Sequence, residues 1–238
     1  MQIDSRRQMI SLRSSILVPL VLLWISTNLC AQTSPTILEI EEFSGLHKAA
    51  YYGDVESINR LVEMGADLET QDNAGRTPLH VAAFASRGNA VRALVLAGAN
   101  LNALENDAYD ILTIAAVAND LELLDLAISL GANTGNITSR YDGTALIAAA
   151  HLGHHRVVRS LILGGAPLDH INNLGWTALM EAVVLGDGGK DHIETVRLLV
   201  SSGADRNIPD NGGVTPLEHA LAREFKEIAA LLDGPDKQ

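Results

Sequence analysis

The segment Asp72-Asn73-Ala74-Gly75-Arg76-Thr77-Pro78-Leu79-His80 predicts a tight turn that leads directly into a helix. Asp, Asn and Gly favour turns, because their side chains bond nearby backbone groups or their backbones tolerate left-handed conformations. A Thr hydroxyl before Pro accepts a free backbone N–H of the first helical turn, and Pro fits that turn without losing a hydrogen bond. Ala82 and Ala83 follow, where small residues let neighbouring helices approach closely. The segment therefore predicts the start of a closely packed helix.

A second helix is predicted a few residues further along the chain. Val91, Leu94 and Val95 have the i, i+3, i+4 spacing that places apolar side chains on one helix face. Gly98 follows where this helix should end, and Gly readily adopts the left-handed conformation of a helix C-cap. Together the two helices predict a helix–turn–helix unit.

This unit recurs with an almost constant period. Gly-Ala pairs begin at Gly65, Gly98, Gly131, Gly165 and Gly203, so that the spacing is nearly uniform until the last step, which is longer. The predicted starts of the first helices lie at Thr77, Asp110, Thr144, Thr177 and Thr215 and follow the same spacing, including the longer last step. Two independent markers in one register predict a repeat protein in which each unit packs on the next.

The period and these residues resemble the ankyrin repeat family, and the segment 72–80 is the clearest copy of its pattern. The resemblance covers residues 41–233 and implies an all-α repeat solenoid, an ankyrin stack of about six helix–turn–helix units with hairpin-like loops. The predicted units span residues 41–73, 74–106, 107–140, 141–173, 174–210 and 211–235. A short linker at 32–40 precedes them and a tail at 236–238 follows.

The composition excludes several classes of function. Lys and Arg total 17 against 29 Asp and Glu, a formal net charge of -12, so the basic face that nucleic acid requires is missing. The single cysteine, Cys30, excludes a disulfide scaffold and a multi-cysteine metal centre. Acidic groups at the rim of a binding surface favour encounter with a basic partner protein. We therefore expect an acidic helical protein whose partner is a basic protein.

The N-terminus has the pattern of an export signal. Basic residues precede an uninterrupted apolar run of ten residues at 16–25, which is about half the length that a membrane span needs. Residues 1–31 are interpreted as a signal peptide cleaved after Ala31, which predicts a periplasmic bacterial protein without stable membrane insertion. Two alternatives stay open, namely a lipoprotein modified at Cys30 and an uncleaved inner-membrane anchor that faces the periplasm.

The resemblance implies protein binding through a concave face, formed by the hairpin-like loops and the solvent side of each first helix. Six of the eight aromatic residues after residue 31 map to this face, and large rigid rings are favoured at protein interfaces. The predicted partner-binding residues are Tyr51, Tyr52, Arg76, Phe84, Tyr109, Tyr141, His151, Leu152, Trp176 and Leu185, with Val117 and Val184 at equivalent positions.

The fifth unit carries five additional residues within the segment 185–191. This Leu-Gly-Asp-Gly-Gly insertion is similar to one in exported bacterial ankyrin-repeat proteins, and it is either a specificity loop or a tolerated surface insertion. Its carboxylates, Asp187 and Asp191, are too few for a calcium loop. We expect no cation there.

Catalytic and metal-binding patterns are not found in the sequence. It contains no nucleophile elbow, phosphate loop or His-Glu metal motif. His47, His80 and His154 match structural histidines of the family, which leaves only His151 and His155 for a metal. The sequence predicts a non-enzymatic interaction module without a cofactor, acting as an inhibitor or protector. The alternatives are a membrane-tethered envelope scaffold and, with less support, a metal-handling protein.

Overall fold

The computed structural model describes residues 34–234, so the predictions for the signal peptide, for Cys30 and for the tail at 236–238 lie outside the described residues. Residues 34–234 contain thirteen helices and no strand. The helices are α1 Ile37–Glu42, α2 Gly45–Tyr52, α3 Val55–Glu63, α4 Pro78–Phe84, α5 Gly88–Leu96, α6 Ile111–Val117, α7 Leu121–Ser129, α8 Ala145–His151, α9 His155–Leu163, α10 Ala178–Val184, α11 Lys190–Ser201, α12 Pro216–Ala222 and α13 Lys226–Leu232.

Helices α2 to α13 form six consecutive pairs. The first helices of the pairs begin at residues 45, 78, 111, 145, 178 and 216, which reproduces the period of the sequence. Each first helix packs against the first helix of the next pair, and each second helix packs against the next second helix, so the stack has two helical layers. The predicted ankyrin stack of six helix–turn–helix units is confirmed.

Side-chain caps fix the start of each first helix from the second pair onward. Thr144, Thr177 and Thr215 each accept the backbone N–H three residues ahead. Asp110 has the same role in the third pair, where its carboxylate accepts from the N–H of Thr113 at 2.8 Å. Thr77 and His80 bond each other reciprocally. The caps therefore act at the positions that the sequence period predicts.

The hairpin-like loops are tied to one another by side chains. In the loop that leads into the second repeat, Asp72 N–H donates to the carbonyl of Arg76 at 3.1 Å and closes the turn. The side-chain amides of Asn106, Asn173 and Asn211 each donate to a backbone carbonyl in the loop of the preceding repeat, at 3.2, 3.0 and 3.0 Å. These bonds hold successive loops in register.

The core lies between the two layers and consists mainly of small and branched apolar residues. Ala82, Ala115 and Ala149 are fully buried on the first helices, while Leu94 and Leu161 are fully buried on the second helices. Small side chains on the first helices permit the close packing that the sequence predicts. No helix within residues 34–234 is long and apolar enough to cross a bilayer.

The N-terminal linker prediction is wrong for residues 37–40, which begin helix α1. Thr36 N–H donates to the Glu39 carboxylate at 2.7 Å, and Glu39 N–H donates back to the Thr36 hydroxyl at 3.3 Å. This reciprocal capping box satisfies two backbone donors and stabilises a helix of only six residues. Ile40 packs against the core and attaches α1 to the stack.

Candidate partner-binding face

The last turns of the first helices supply one row of the concave face. Tyr51, Phe84, Val117, His151 and Val184 occupy equivalent positions in successive repeats. Tyr51 lies one residue before the end of α2, and the other four are the last residues of α4, α6, α8 and α10. The fold therefore places these residues at equivalent positions of successive repeats, and their contact with a partner stays a prediction.

The first repeat has an aromatic cluster at the start of this row. Tyr52 is 61% exposed, and its ring meets Tyr51 edge-on with centroids 5.2 Å apart. Tyr51 in turn lies 6.2 Å from the ring of buried Phe43. Packing on Tyr51 restricts the rotamers of Tyr52, which favours one position of the exposed ring.

Five further predicted residues keep part of their surface exposed. They are half-buried, which leaves one side of each for contact with a partner while the other side packs on the stack. These residues are Phe84, Tyr141, Leu152, Trp176 and Leu185.

Arg76 is only 1% exposed, so the prediction that it contacts a partner is wrong. Its guanidinium binds the carboxylates of Asp72 at 2.7 Å and of Glu39 at 2.6 Å. Glu39 reaches Arg76 because residues 37–42 form a helix rather than a linker. The arginine therefore holds α1 against the second hairpin-like loop.

Tyr109 and His151 also expose little surface, at 6% and 8%. The Tyr109 ring belongs to the apolar core because the third loop turns it inward, so the prediction that it contacts a partner is wrong. His151 Nδ1 lies 3.1 Å from the carboxylate of Glu181, which is fully buried. His151 therefore contributes little area to the face.

Sequence reasoning missed a row of apolar residues on the loops. Leu104, Ile137 and Ile171 are 39%, 44% and 49% exposed. The residue after each of them donates the backbone N–H that closes a hairpin-like loop. These donors are Glu105, Thr138 and Asn172. Their repeat-register spacing was visible in the sequence, as large apolar residues in otherwise polar segments. We call these three residues the loop row.

The insertion in the fifth repeat is held by its neighbours. Arg223 in the sixth repeat donates to the carbonyls of Val184 and Gly186. The Asp187 carboxylate accepts from Gly189 N–H at 2.8 Å and lies 2.9 Å from His192 Nδ1. The Gly189 N–H, followed by His192, lowers the pKa of Asp187. These contacts give the insertion a defined conformation.

The histidines have structural partners. His47 Nε2 lies 2.8 Å from the carbonyl of Arg76, and His154 Nδ1 lies 2.9 Å from that of Ala116. His151 and His155 face different carboxylates, Glu181 and Asp191. Within residues 34–234, no group of three or more His, Cys, Asp or Glu side chains is placed to hold a metal ion.

Comparisons with known proteins agree with this architecture. A family model described as ankyrin repeats (3 copies) matches residues 112–210, and one described as ankyrin repeats (many copies) matches residues 46–95. The ankyrin repeat protein YahD of Escherichia coli K12 is 34% identical over 185 residues, which cover 77% of this chain and 92% of YahD.

Solved structures are also similar. An ankyrin repeat domain from Acinetobacter baumannii is 40% identical with a TM-score of 0.74, over 79% of this chain and 95% of that one. A structure from Bdellovibrio bacteriovorus contains a predatory endopeptidase in complex with an immunity protein. One chain of that structure is 26% identical to this chain with a TM-score of 0.66, and the match covers 80% of this chain and 97% of that one. The protein thus belongs to the ankyrin repeat family, whose members are protein–protein interaction modules and generally not enzymes.

Proposed function

We propose that this chain is an exported binding protein of the bacterial periplasm, which holds a basic partner protein on its concave face and inhibits or protects it. The observation that carries the proposal is the exposure of Tyr52 and of the loop row, whose repeat positions we assign to that face. Isolated exposed apolar residues are ordinary, whereas a row in repeat register on one face is typical of an interaction site.

A rigid face is well suited to binding a folded partner. The loops are already tied together by the asparagine bonds, and Tyr52 is already packed on Tyr51. Little conformational entropy is then lost on association, which leaves more of the contact free energy as affinity. The similar Bdellovibrio structure, which contains an endopeptidase in complex with an immunity protein, supports a role as inhibitor or protector.

The partner can be sought by affinity capture from the envelope of the source bacterium, with the tagged full chain as bait. The test variant combines Tyr52→Ala, Leu104→Ser, Ile137→Ser and Ile171→Ser. The control variant combines Met64→Ser, Leu96→Ser and Leu163→Ser, which remove residues that are 77%, 75% and 81% exposed at the ends of second helices. Circular dichroism confirms that both variants fold.

We expect the native bait and the control variant to retain a partner that the test variant loses. Equal retention by all three baits would assign binding to another surface, and loss with the control alone would assign it to the second helices. Capture of no partner by the native bait would contradict the proposed function as a whole.

The periplasmic location is tested separately by the mass of the mature protein. Loss of residues 1–31 is expected for a cleaved signal. Retention of these residues would favour the envelope scaffold, for which the apolar run at 16–25 would be the anchor.

A further inference from the structure

A buried polar network lies beneath the concave face, between the fourth and fifth repeats. Glu181 of α10 is fully buried, and one of its carboxylate oxygens lies 3.1 Å from Nδ1 of His151, the last residue of α8. Its other oxygen accepts from the side-chain amide of Asn172 at 2.9 Å. A fully buried carboxylate in an apolar stack is costly unless its charge and hydrogen bonds are satisfied.

The orientation of Asn172 is fixed by the backbone. Its side-chain oxygen accepts from the N–H groups of Leu174 and Trp176, both at 3.0 Å. The amide nitrogen must therefore be the atom that faces Glu181. Asn172 carries no charge, so only His151 can neutralise Glu181 within this network.

The hydrogen on the His151 ring follows from the charge of the buried pair. A neutral ring that donates from Nδ1 to an ionised Glu181 would leave a buried charge without a counter-charge, which is costly. The buried pair is neutral if His151 is an imidazolium beside a carboxylate, or if a protonated Glu181 donates to Nδ1 of a neutral ring. In the first form both ring nitrogens carry hydrogen, and in the second the hydrogen is on Nε2. Both neutral forms therefore present an N–H at Nε2.

Nε2 of His151 has no bonding partner within residues 34–234, although the His151 side chain is only 7% exposed. Thr195 Oγ1 is the single buried side-chain N or O atom left without a partner in the described part of the chain. Nε2 is therefore not sealed and keeps access to solvent. Tyr51, Phe84 and Val117 at the equivalent positions of the first three repeats are partly exposed, while Val184 in the fifth repeat is buried. These positions belong to the predicted concave face, so the opening at Nε2 is assigned to that face.

We propose that His151 Nε2–H donates a hydrogen bond to a main-chain carbonyl oxygen of the partner protein, and that Glu181 and Asn172 position the ring for this contact. The inference rests on the proposed function and names the contact made at its binding face. A carbonyl fits better than a carboxylate because the chain has a net charge of -12, which disfavours an acidic partner group.

The surroundings of His151 suit such a contact. Leu152, the next residue, is half-buried, and so is Trp176, whose backbone is bonded to Asn172. Apolar side chains beside a polar contact exclude water when a partner docks, and exclusion of water strengthens the hydrogen bond. A main-chain carbonyl of the partner can accept this bond without bringing a further charge into the interface.

Two substitutions separate the bond of His151 Nδ1 to Glu181 from the proposed bond of Nε2–H to the partner. In His151→Gln, the amide nitrogen can occupy the place of Nε2 and keep the outward donor. In His151→Asn, the shorter amide can keep the bond to Glu181 but cannot reach outward. Thermal unfolding shows whether each variant retains the stability of the native chain.

The first readout is nitrogen-15 NMR of the His151 ring in the full chain, which shows directly whether Nε2 carries a hydrogen. We expect a protonated Nε2 whose resonance moves on titration with N-methylacetamide, a probe that carries the carbonyl of a peptide bond. A ring without hydrogen on Nε2, or a resonance that the probe leaves unchanged, would overturn the proposal.

The second readout is the Kd for the protein captured by the native bait. His151→Asn should weaken binding roughly tenfold, the effect of losing one neutral hydrogen bond of about 1.4 kcal/mol, and His151→Gln should recover most of it. Equal binding by the Asn variant and the native chain would overturn this inference and leave the proposed function intact. Failure of the native chain to capture any protein would instead contradict the proposed function, while the NMR result would still decide the state of His151.

Discussion

At the scale of the residue, buried polar side chains join the helices to the loops. His80 shows how one side chain does this. Its Nδ1 lies 3.1 Å from the N–H of Thr77 at the start of α4, and its Nε2 lies 3.0 Å from the carbonyl of Ala103 in the following loop. A backbone N–H can only donate, so Nδ1 accepts and the hydrogen of the neutral ring is on Nε2. Burial lowers the pKa of His80.

This protonation state predicts a loss of stability in mild acid. The folded-state pKa of His80 lies below the unfolded value of about 6.5, so the unfolded chain takes up the proton first. The contribution of neutral His80 to the free energy of unfolding is therefore complete above about pH 6.5. It is lost as the pH falls toward the folded-state pKa, by at most about 1.4 kcal/mol per pH unit. Urea unfolding at pH 7.5 and 5.5 should show a smaller decrease for His80→Gln than for the native chain. Between pH 7.5 and 8.5 the two chains should respond alike, and equal decreases in the acidic interval would contradict the assignment.

The residue scale also shows what the sequence could and could not predict. The caps at Thr77 and Thr144 depend on residues within a few positions, so the local pattern is sufficient to predict them. The burial of Arg76 is not visible in the local sequence, because Glu39, which covers it, is distant in sequence and lies in helix α1 rather than in a linker. The Glu181 network was missed because it joins three elements, and no spacing along the chain reveals that contact.

At the scale of the element, the insertion of the fifth repeat behaves as a part of the stack. The Arg223 guanidinium binds the carbonyl of Gly186 in the insertion and that of Val184, the last residue of α10. It also lies 4.7 Å from the centroid of the Phe225 ring. That ring packs on the backbone of Gly188, where a Cβ would lie 2.5 Å from the nearest ring carbons. The sequence showed the extra residues but not these contacts from the following repeat.

The contact with Phe225 predicts that Gly188→Ala destabilises the fold more than the matched substitution Gly213→Ala. Gly188 has a φ of +71°, and Gly213, with a φ of +79°, has nothing within 4 Å of its Cβ position. Alanine in this conformation costs about 1–2 kcal/mol at either site, and the contact with Phe225 adds roughly 1–3 kcal/mol of strain at Gly188 alone. Urea midpoints of the two variants should differ accordingly. Equal midpoints would show that the insertion moves away from Phe225 without cost.

At the scale of the whole described stack, burial is greatest in the interior repeats. Every residue of α10 is buried, whereas α12 in the last repeat buries only Pro216 and Ala220. An interior repeat has a neighbour on each side and an end repeat has one, so stability should fall toward the ends. This gradient follows from the repeat count and was predictable in outline. How steeply the stability falls depends on which residues of the end repeats are buried, and only the structure shows which they are.

The gradient can be measured by native-state hydrogen exchange. Amides of α8 and α10 should be the most protected, and those of α12 and α13 should exchange through local opening. Ile228→Ala and Leu146→Ala each remove a fully buried side chain, at a cost of about 2–5 kcal/mol. Ile228→Ala should lower protection in α12 and α13 and leave α6 and α8 nearly unchanged, because the end repeat can open alone. Leu146→Ala should lower protection on both sides of the fourth repeat, because it breaks the interface that joins the two halves of the stack. Uniform loss of protection from both variants would mean that residues 34–234 unfold as one cooperative unit, without separate opening of the last repeat.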